Sequence, residues 1–231
     1  MTETVLILGG TREAAQIAAD FVRDHPDWRV ITSLAGRTKE PRPIVGEVRI
    51  GGFGGAEGLA DYLRAENVTR LIDATHPFAP RISRNARQAA RAAGVRLEIR
   101  MRPPWKKQDG DHWIEVASLE EACDAIPPDA RVFLALGSQH IALFAARADV
   151  HFVIRMVDPP ETPLPLPDHD LVIGLPGRTA DEEAALLRDH KITHIVCRNS
   201  GGDGAYAKIE AARRLAVPVI MLTRNAPTDT G

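Results

Sequence analysis

Four stretches of this 231-residue chain join a short apolar run to small or polar residues and then to a helical pattern. Such a junction can hold an anion. The first N–H groups of a helix point outward, and glycine lets a phosphate approach the backbone. The first junction is Gly9-Gly10-Thr11-Arg12-Glu13-Ala14, directly behind Val5-Leu6-Ile7-Leu8. It lacks the later glycines of G-x-G-x-x-G, so taken alone it fits a plain strand–helix turn about as well as a phosphate loop. Thr11 is placed to cap the helix and to offer its hydroxyl to a phosphate.

The end of the next apolar run favours the phosphate reading. Dinucleotide folds read the adenosine ribose there, with an acid for NAD or an arginine for the extra phosphate of NADP. The residues are Ser33-Leu34-Ala35-Gly36-Arg37-Thr38-Lys39, two cations and two hydroxyls without a carboxylate. Arg37 is the expected clamp for a 2′-phosphate; a solvated basic loop is the alternative.

The other junctions supply candidate chemistry. Asp73-Ala74-Thr75-His76-Pro77-Phe78-Ala79 follows a strand, where His76 could sit near a reacting ring as a proton source or could only cap the next helix. Asn199-Ser200-Gly201-Gly202-Asp203-Gly204-Ala205-Tyr206-Ala207-Lys208 is glycine-rich beyond the needs of a turn. Lys208 could hold a carboxylate or phosphate, could donate a proton, or could be a surface lysine. Leu136-Gly137-Ser138-Gln139-His140 is the fourth junction and the third that contains glycine. Arg100, Arg102, Arg155, Arg198 and Arg224 fall around predicted strand ends, where they could receive an anionic substrate or form ordinary salt bridges.

These residues need a scaffold that presents strand ends on one edge. Strands are expected near residues 5–8, 29–34, 45–50, 70–73, 95–99, 131–136, 152–154, 193–197 and 217–222. Helices are expected behind the first strand and over 59–65, 80–94, 179–190 and 203–215. The alternation predicts an α/β fold of two Rossmann-like lobes with parallel sheets and a cleft between them. Residues 1–105 form the expected N-terminal NADPH-binding lobe and 112–231 the C-terminal lobe, joined by a polar stretch after Arg102-Pro103-Pro104-Trp105.

The bulk properties exclude several classes. A net charge of −2 does not support non-specific nucleic-acid binding, and no apolar run is long enough to span a bilayer. Cys123 and Cys197 are isolated, without metal-type spacing, and read as reduced thiols. No metal site is expected, and the cytoplasm is the expected location.

Four stretches together resemble the precorrin-6A reductase family: Ile7 to Ala14, Ser33 to Thr38, Asp73 to Ala79 and Gly204 to Arg213. They occur in family order across nearly the whole chain. The resemblance implies an oxidoreductase of cobalamin biosynthesis that uses NADPH to reduce one double bond of precorrin-6A, a polyanionic tetrapyrrole, giving precorrin-6B. It implies a cofactor site of Gly9, Gly10, Thr11, Arg12, Glu13, Ser33, Gly36, Arg37, Thr38 and Thr75. Substrate contacts are expected at Ser138, His140, Arg198, Ser200, Gly201 and Lys208, with His76 and Lys208 as proton-donor candidates. Neighbouring enzymes of the pathway are conceivable partners. The alternatives are the cobalt-containing substrate of the anaerobic branch, an NADP-sensing protein without catalysis, and a transferase using a sugar nucleotide. The absence of a P-loop lysine motif ranks the transferase last.

Overall fold

The central strands are apolar on both faces, as strands covered by helices on each side must be. In a computed structural model of the protein, which describes residues 2–36 and 43–224, the chain divides into two units, Met1–Arg102 and Pro103–Gly231. The first unit runs β1 (Thr4–Leu8), α1 (Arg12–Asp24), β2 (Arg29–Leu34), β3 (Glu47–Ile50), α2 (Ala56–Ala65), β4 (Arg70–Asp73), α3 (Pro80–Ala93) and β5 (Arg96–Ile99). Its five strands lie in the order β3-β2-β1-β4-β5, and every pairing is parallel. Leu6, Leu8, Ile31 and Leu71 pack on one face against Leu59 and Leu63 of α2 and Ala86, Ala89 and Ala90 of α3. Val5, Ile7, Val30 and Ile72 pack on the other face against Ala14 and Ala18 of α1. The chain leaves β1 toward β2 and leaves β4 toward β5. The strand order therefore reverses between β1 and β4, the place where open α/β sheets bind ligands.

The second unit runs β6 (Trp113–Val116), α4 (Leu119–Asp124), β7 (Arg131–Ala135), a 3₁₀ helix (Ser138–Phe144), β8 (His151–Met156), β9 (His169–Ile173), α5 (Ala180–Asp189), β10 (His194–Arg198), α6 (Ala207–Arg214) and β11 (Val219–Leu222). Its six parallel strands take the order β6-β11-β10-β7-β8-β9, with the reversal between β7 and β10. Two parallel sheets with helices are the architecture expected from the sequence.

The departures have local causes. β3 begins at Glu47 rather than Val45 because Gly46 turns with φ +91°, and a Cβ there would lie 2.7 Å from the Val30 carbonyl oxygen. α6 begins at Ala207 rather than 203: behind Gly201 and Gly202, both at φ +67°, residues 204–206 form a turn in which Tyr206 N–H donates to the Asp203 carbonyl at 3.3 Å. β6, α4 and β9 were not expected; they are short, and β6 and β9 take edge positions in the sheet. The stretch after Arg102 is not slack chain, since Trp105 is fastened within the second unit.

Candidate functional site

In the first unit, the loops after β1 and β4 stand side by side, because β1 and β4 pair with Leu8 opposite Asp73. Gly9 is required by close packing: a Cβ there would lie 2.9 Å from Thr32 Cγ2, while its N–H donates to the Ser33 carbonyl at 2.9 Å. Gly10 adopts φ +101°, with nothing within 4 Å of where a Cβ would stand, so the backbone is open on that side. Thr11 caps α1, its Oγ1 accepting from Ala14 N–H at 3.1 Å. The same hydroxyl donates to the Ala74 carbonyl at 2.9 Å. Its one proton is thereby committed, so the expected donation of the Thr11 hydroxyl to a phosphate is not available while that bond stands. The donors left for a ligand are the backbone N–H groups at the start of α1 ahead of Ala14, which have no partner within the helix.

Glu13 accepts from Arg102 Nη1 at 2.7 Å. Partial burial works against its charged form, but its own backbone N–H, the Arg102 guanidinium and neighbouring Thr11 outweigh that and hold the carboxyl below its ordinary range. The pairing keeps a carboxylate beside the helix N-terminus from standing as an uncompensated negative charge. Arg12 is exposed on the first turn.

Beyond β4, Asp73 Oδ1 accepts from both the backbone N–H and the hydroxyl of Thr75, at 3.1 and 2.6 Å. The Thr75 hydroxyl can therefore only accept from a further group. His76 Nδ1 accepts from Phe78 N–H at 3.2 Å, so a neutral ring carries its proton on Nε2. Ser33 is buried at the end of β2, and Gly36 turns away at φ +72°. Arg37 and Thr38 lie outside the described residues.

The second unit brings together the loops after β7 and β10, since Ala135 pairs with Cys197. The loop after β10 is held from several directions. Asn199 Oδ1 accepts from Trp105 N–H at 2.7 Å while its Nδ2 donates to the Trp105 carbonyl at 3.0 Å. The Trp105 indole N–H donates to the Gly202 carbonyl at 2.7 Å. Arg224 donates to the carbonyls of Asn199 and Ser200 at 2.9 and 2.7 Å. Gly201 tolerates no side chain, as a Cβ would lie 2.0 Å from the Pro103 carbonyl oxygen.

Lys208, 6% exposed, sits under this loop; its Nζ donates to the Ala205 carbonyl at 2.7 Å and lies 5.1 Å from the Trp105 ring centre. Burial, only partly offset by that ammonium, pushes the Cys197 thiol up to about 11. Ser138 is exposed and His140 half-buried, and the segment they open is a 3₁₀ helix, Ser138–Phe144. Arg198 is half-buried at the end of β10, and Ser200 Oγ donates back to its carbonyl at 3.3 Å.

Several arginines expected to face a substrate have internal partners. Arg100 pairs with Glu98 at 2.9 Å, and Arg155 grips buried Glu183 at 2.6 and 3.2 Å. Arg81, Arg84, Arg87 and Arg91 of α3 are exposed instead, without a carboxylate partner among the described residues. Among the described residues, no group of three or more His, Cys, Asp or Glu side chains could hold a metal ion, and no helix is long and apolar enough to cross a membrane.

The profile of the family described as precorrin-6x reductase CbiJ/CobK matches residues 4–231. The chain belongs to that family. Precorrin-6A reductases from a Sinorhizobium species and from Rhodobacter capsulatus are each 47% identical to it, covering 97% and 96% of this chain and 86% and 88% of their own. A cobalt-precorrin-6A reductase from Priestia megaterium is 26% identical over 95% of this chain and 90% of its own. A solved CobK precorrin-6A reductase superposes with a TM-score of 0.92 at 47% identity, covering 98% of this chain and 89% of that one.

The sequence motifs contain Asn199 and Trp105 without assigning either a role, and Arg49 lies outside all of them. Arg49 donates to the carbonyls of Gly51 and Gly52 and lies against Phe53. The density of glycine in Gly51-Gly52-Phe53-Gly54-Gly55 was the signal that could have drawn attention to it.

Proposed function

We propose that this chain is an NADPH-dependent oxidoreductase that reduces one double bond of precorrin-6A to give precorrin-6B in cobalamin biosynthesis. The observation that carries the reading is the pairing of an open Gly9-Gly10-Thr11 helix entrance with the Asp73–His76 loop at the point where the sheet order reverses. Identities of 41–47% to precorrin-6A reductases, against 26% to cobalt-precorrin-6A reductases, favour the metal-free macrocycle.

The residues present fit a dinucleotide. Gly9, Gly10 and the N–H groups of Thr11, Arg12 and Glu13 would hold the pyrophosphate at the positive end of α1. Ser33, Gly36, Arg37 and Thr38 would surround the adenosine ribose, and Thr75 would accept a hydrogen bond from the nicotinamide half. When bound, NADPH supplies a hydride, so the chain must orient the macrocycle and provide a path for one proton. His76 Nε2–H is the proposed donor, because the Phe78 bond leaves that nitrogen carrying the proton. Arg81 and Arg84, at the start of α3, supply positive charge for the substrate's carboxylates. In the second unit, Ser138, His140, Arg198, Ser200 and Gly201 are the proposed substrate contacts, and buried Lys208 holds their loop in shape rather than meeting the substrate. The protein works in the cytoplasm on this reading.

The deciding experiment is anaerobic oxidation of NADPH by the purified protein, with and without metal-free precorrin-6A. Substrate-dependent oxidation with a product two hydrogens heavier is expected. Binding of NADPH without oxidation would overturn the metal-free assignment and turn attention to the cobalt-containing macrocycle. Failure to bind NADPH would overturn the cofactor site.

A further inference from the structure

We propose that Arg49 is a specificity-determining residue for the 2′-phosphate of the cofactor, acting together with Ser33. The inference rests on the NADPH reading above and extends it to a strand outside the Arg37 loop. In the register of β2 with β3, Ser33 stands directly opposite Arg49. Arg49 Nη1 lies 3.4 Å from Ser33 Oγ, at the end of β2 where this sheet order places an adenosine ribose.

The guanidinium is held rigidly. Its Nη1 and Nη2 donate to the carbonyls of Gly51 and Gly52, at 2.5 and 2.7 Å, and its carbon lies 3.8 Å from the centre of the Phe53 ring. Tyr62 lies beyond, at 5.2 Å. Phe53 is fixed in turn, because its carbonyl occupies the space beside Gly58 of α2, where a Cβ would lie 1.8 Å away. Gly54 and Gly55, at φ +80° and +103°, let the loop fold back into that contact.

Every hydrogen-bond acceptor that Arg49 meets is neutral, and no carboxylate pairs with it among the described residues. Among the described residues its positive charge is therefore uncancelled while its geometry is preorganised, a combination suited to a fixed anion. Ser33 accepts from Arg49, which leaves the serine proton for an outside acceptor. A phosphate monoester, near −2 at neutral pH, would take that proton and sit beside the guanidinium. NADH, which has a hydroxyl at the same place, would gain little from the charge.

The test is calorimetric titration of NADPH, NADH, 2′-AMP and 5′-AMP into the wild type and into Arg49→Met, Arg49→Lys and Ser33→Ala. Arg49→Met is expected to weaken NADPH and 2′-AMP by at least about tenfold while leaving NADH and 5′-AMP within about twofold. Arg49→Lys should keep the preference for the 2′-phosphate compounds, and Ser33→Ala should lose part of it. Equal losses for all four ligands would reduce Arg49 to a fastener of the glycine loop and overturn the proposal. So would an Arg49→Lys protein no more selective than Arg49→Met. A wild-type protein that binds none of the four would instead overturn the cofactor reading on which the proposal stands.

Discussion

The hydroxyl of Thr11 donates to the carbonyl oxygen of Ala74 at 2.9 Å, joining two loops 63 residues apart in the chain. Thr11 Oγ1 in turn accepts from the N–H of Ala14, so one side chain caps α1 and fixes the exit of β4. Replacement by valine should remove both bonds, costing about 1–3 kcal/mol of stability and weakening NADPH binding. Thr11→Ser should restore most of both. Urea unfolding and NADPH titration of the two variants check this; a Thr11→Val protein of unchanged stability would show that the bridge contributes nothing.

Gly9 offers a sharper packing test. A methyl group there meets Thr32 Cγ2 at 2.9 Å, and Thr32 is wholly buried. Gly9→Ala should destabilise the protein by about 1–3 kcal/mol. Thr32→Ser, which removes that methyl, should recover a good part of the loss when the two changes are combined. Additive effects in a double-mutant cycle would mean that the clash is not what demands glycine.

The Glu13–Arg102 pair gives a pH dependence with a definite sign. The Glu13 carboxyl is held below its ordinary value of 4.5 in the folded protein. The unfolded chain therefore takes up this proton first as the pH falls. The stabilisation is present above that ordinary value and is lost as the pH drops through the folded one. Glu13→Gln should be less stable than wild type at pH 7, with the difference narrowing toward pH 3, as read from urea midpoints at several pH values. A gap independent of pH would assign the effect to packing alone.

Lys208 separates loop order from chemistry. With its ammonium buried against Ala205 and Trp105, Lys208→Met should loosen the loop after β10 and raise the KM for precorrin-6A by about tenfold. NADPH affinity and the pH profile of kcat should stay near wild type. A collapse of kcat with KM unchanged, or a shifted pH profile, would return Lys208 to the role of proton donor.

Cys197 should be chemically silent in the native state. Its thiol, fully buried and pushed up to about 11, has almost no thiolate at neutral pH. Iodoacetamide labelling followed by mass spectrometry should modify Cys197 only in denaturant. Rapid native labelling would show that the sheet of the second unit opens far more readily than its packing suggests.

Much of the candidate site was legible in the chain because it depends on local residue order. A strand, small residues and a helix in succession place Gly9, Gly10 and Thr11 at a helix entrance whatever the rest of the molecule does. The same holds for the loop after β10, whose glycines mark backbone that side chains cannot share. Arg49 was not legible. Its meaning comes from lying opposite Ser33 in a neighbouring strand, and sequence separation carries no information about that register.

The amino-acid order by itself determined the alternation of strands and helices, the parallel sheets that follow from it, and which loops carry small and polar residues, because apolar periodicity and glycine act over a few residues. Only the tertiary structure decided which hydrogen-bonding groups remain available. The Thr11 hydroxyl is committed as a donor to the Ala74 carbonyl, Arg155 is taken by Glu183, and Lys208 is drawn beneath its own loop. Each of those outcomes depends on a partner brought close by strand pairing or helix packing, and a hydroxyl or guanidinium has only as many protons as its partners leave it.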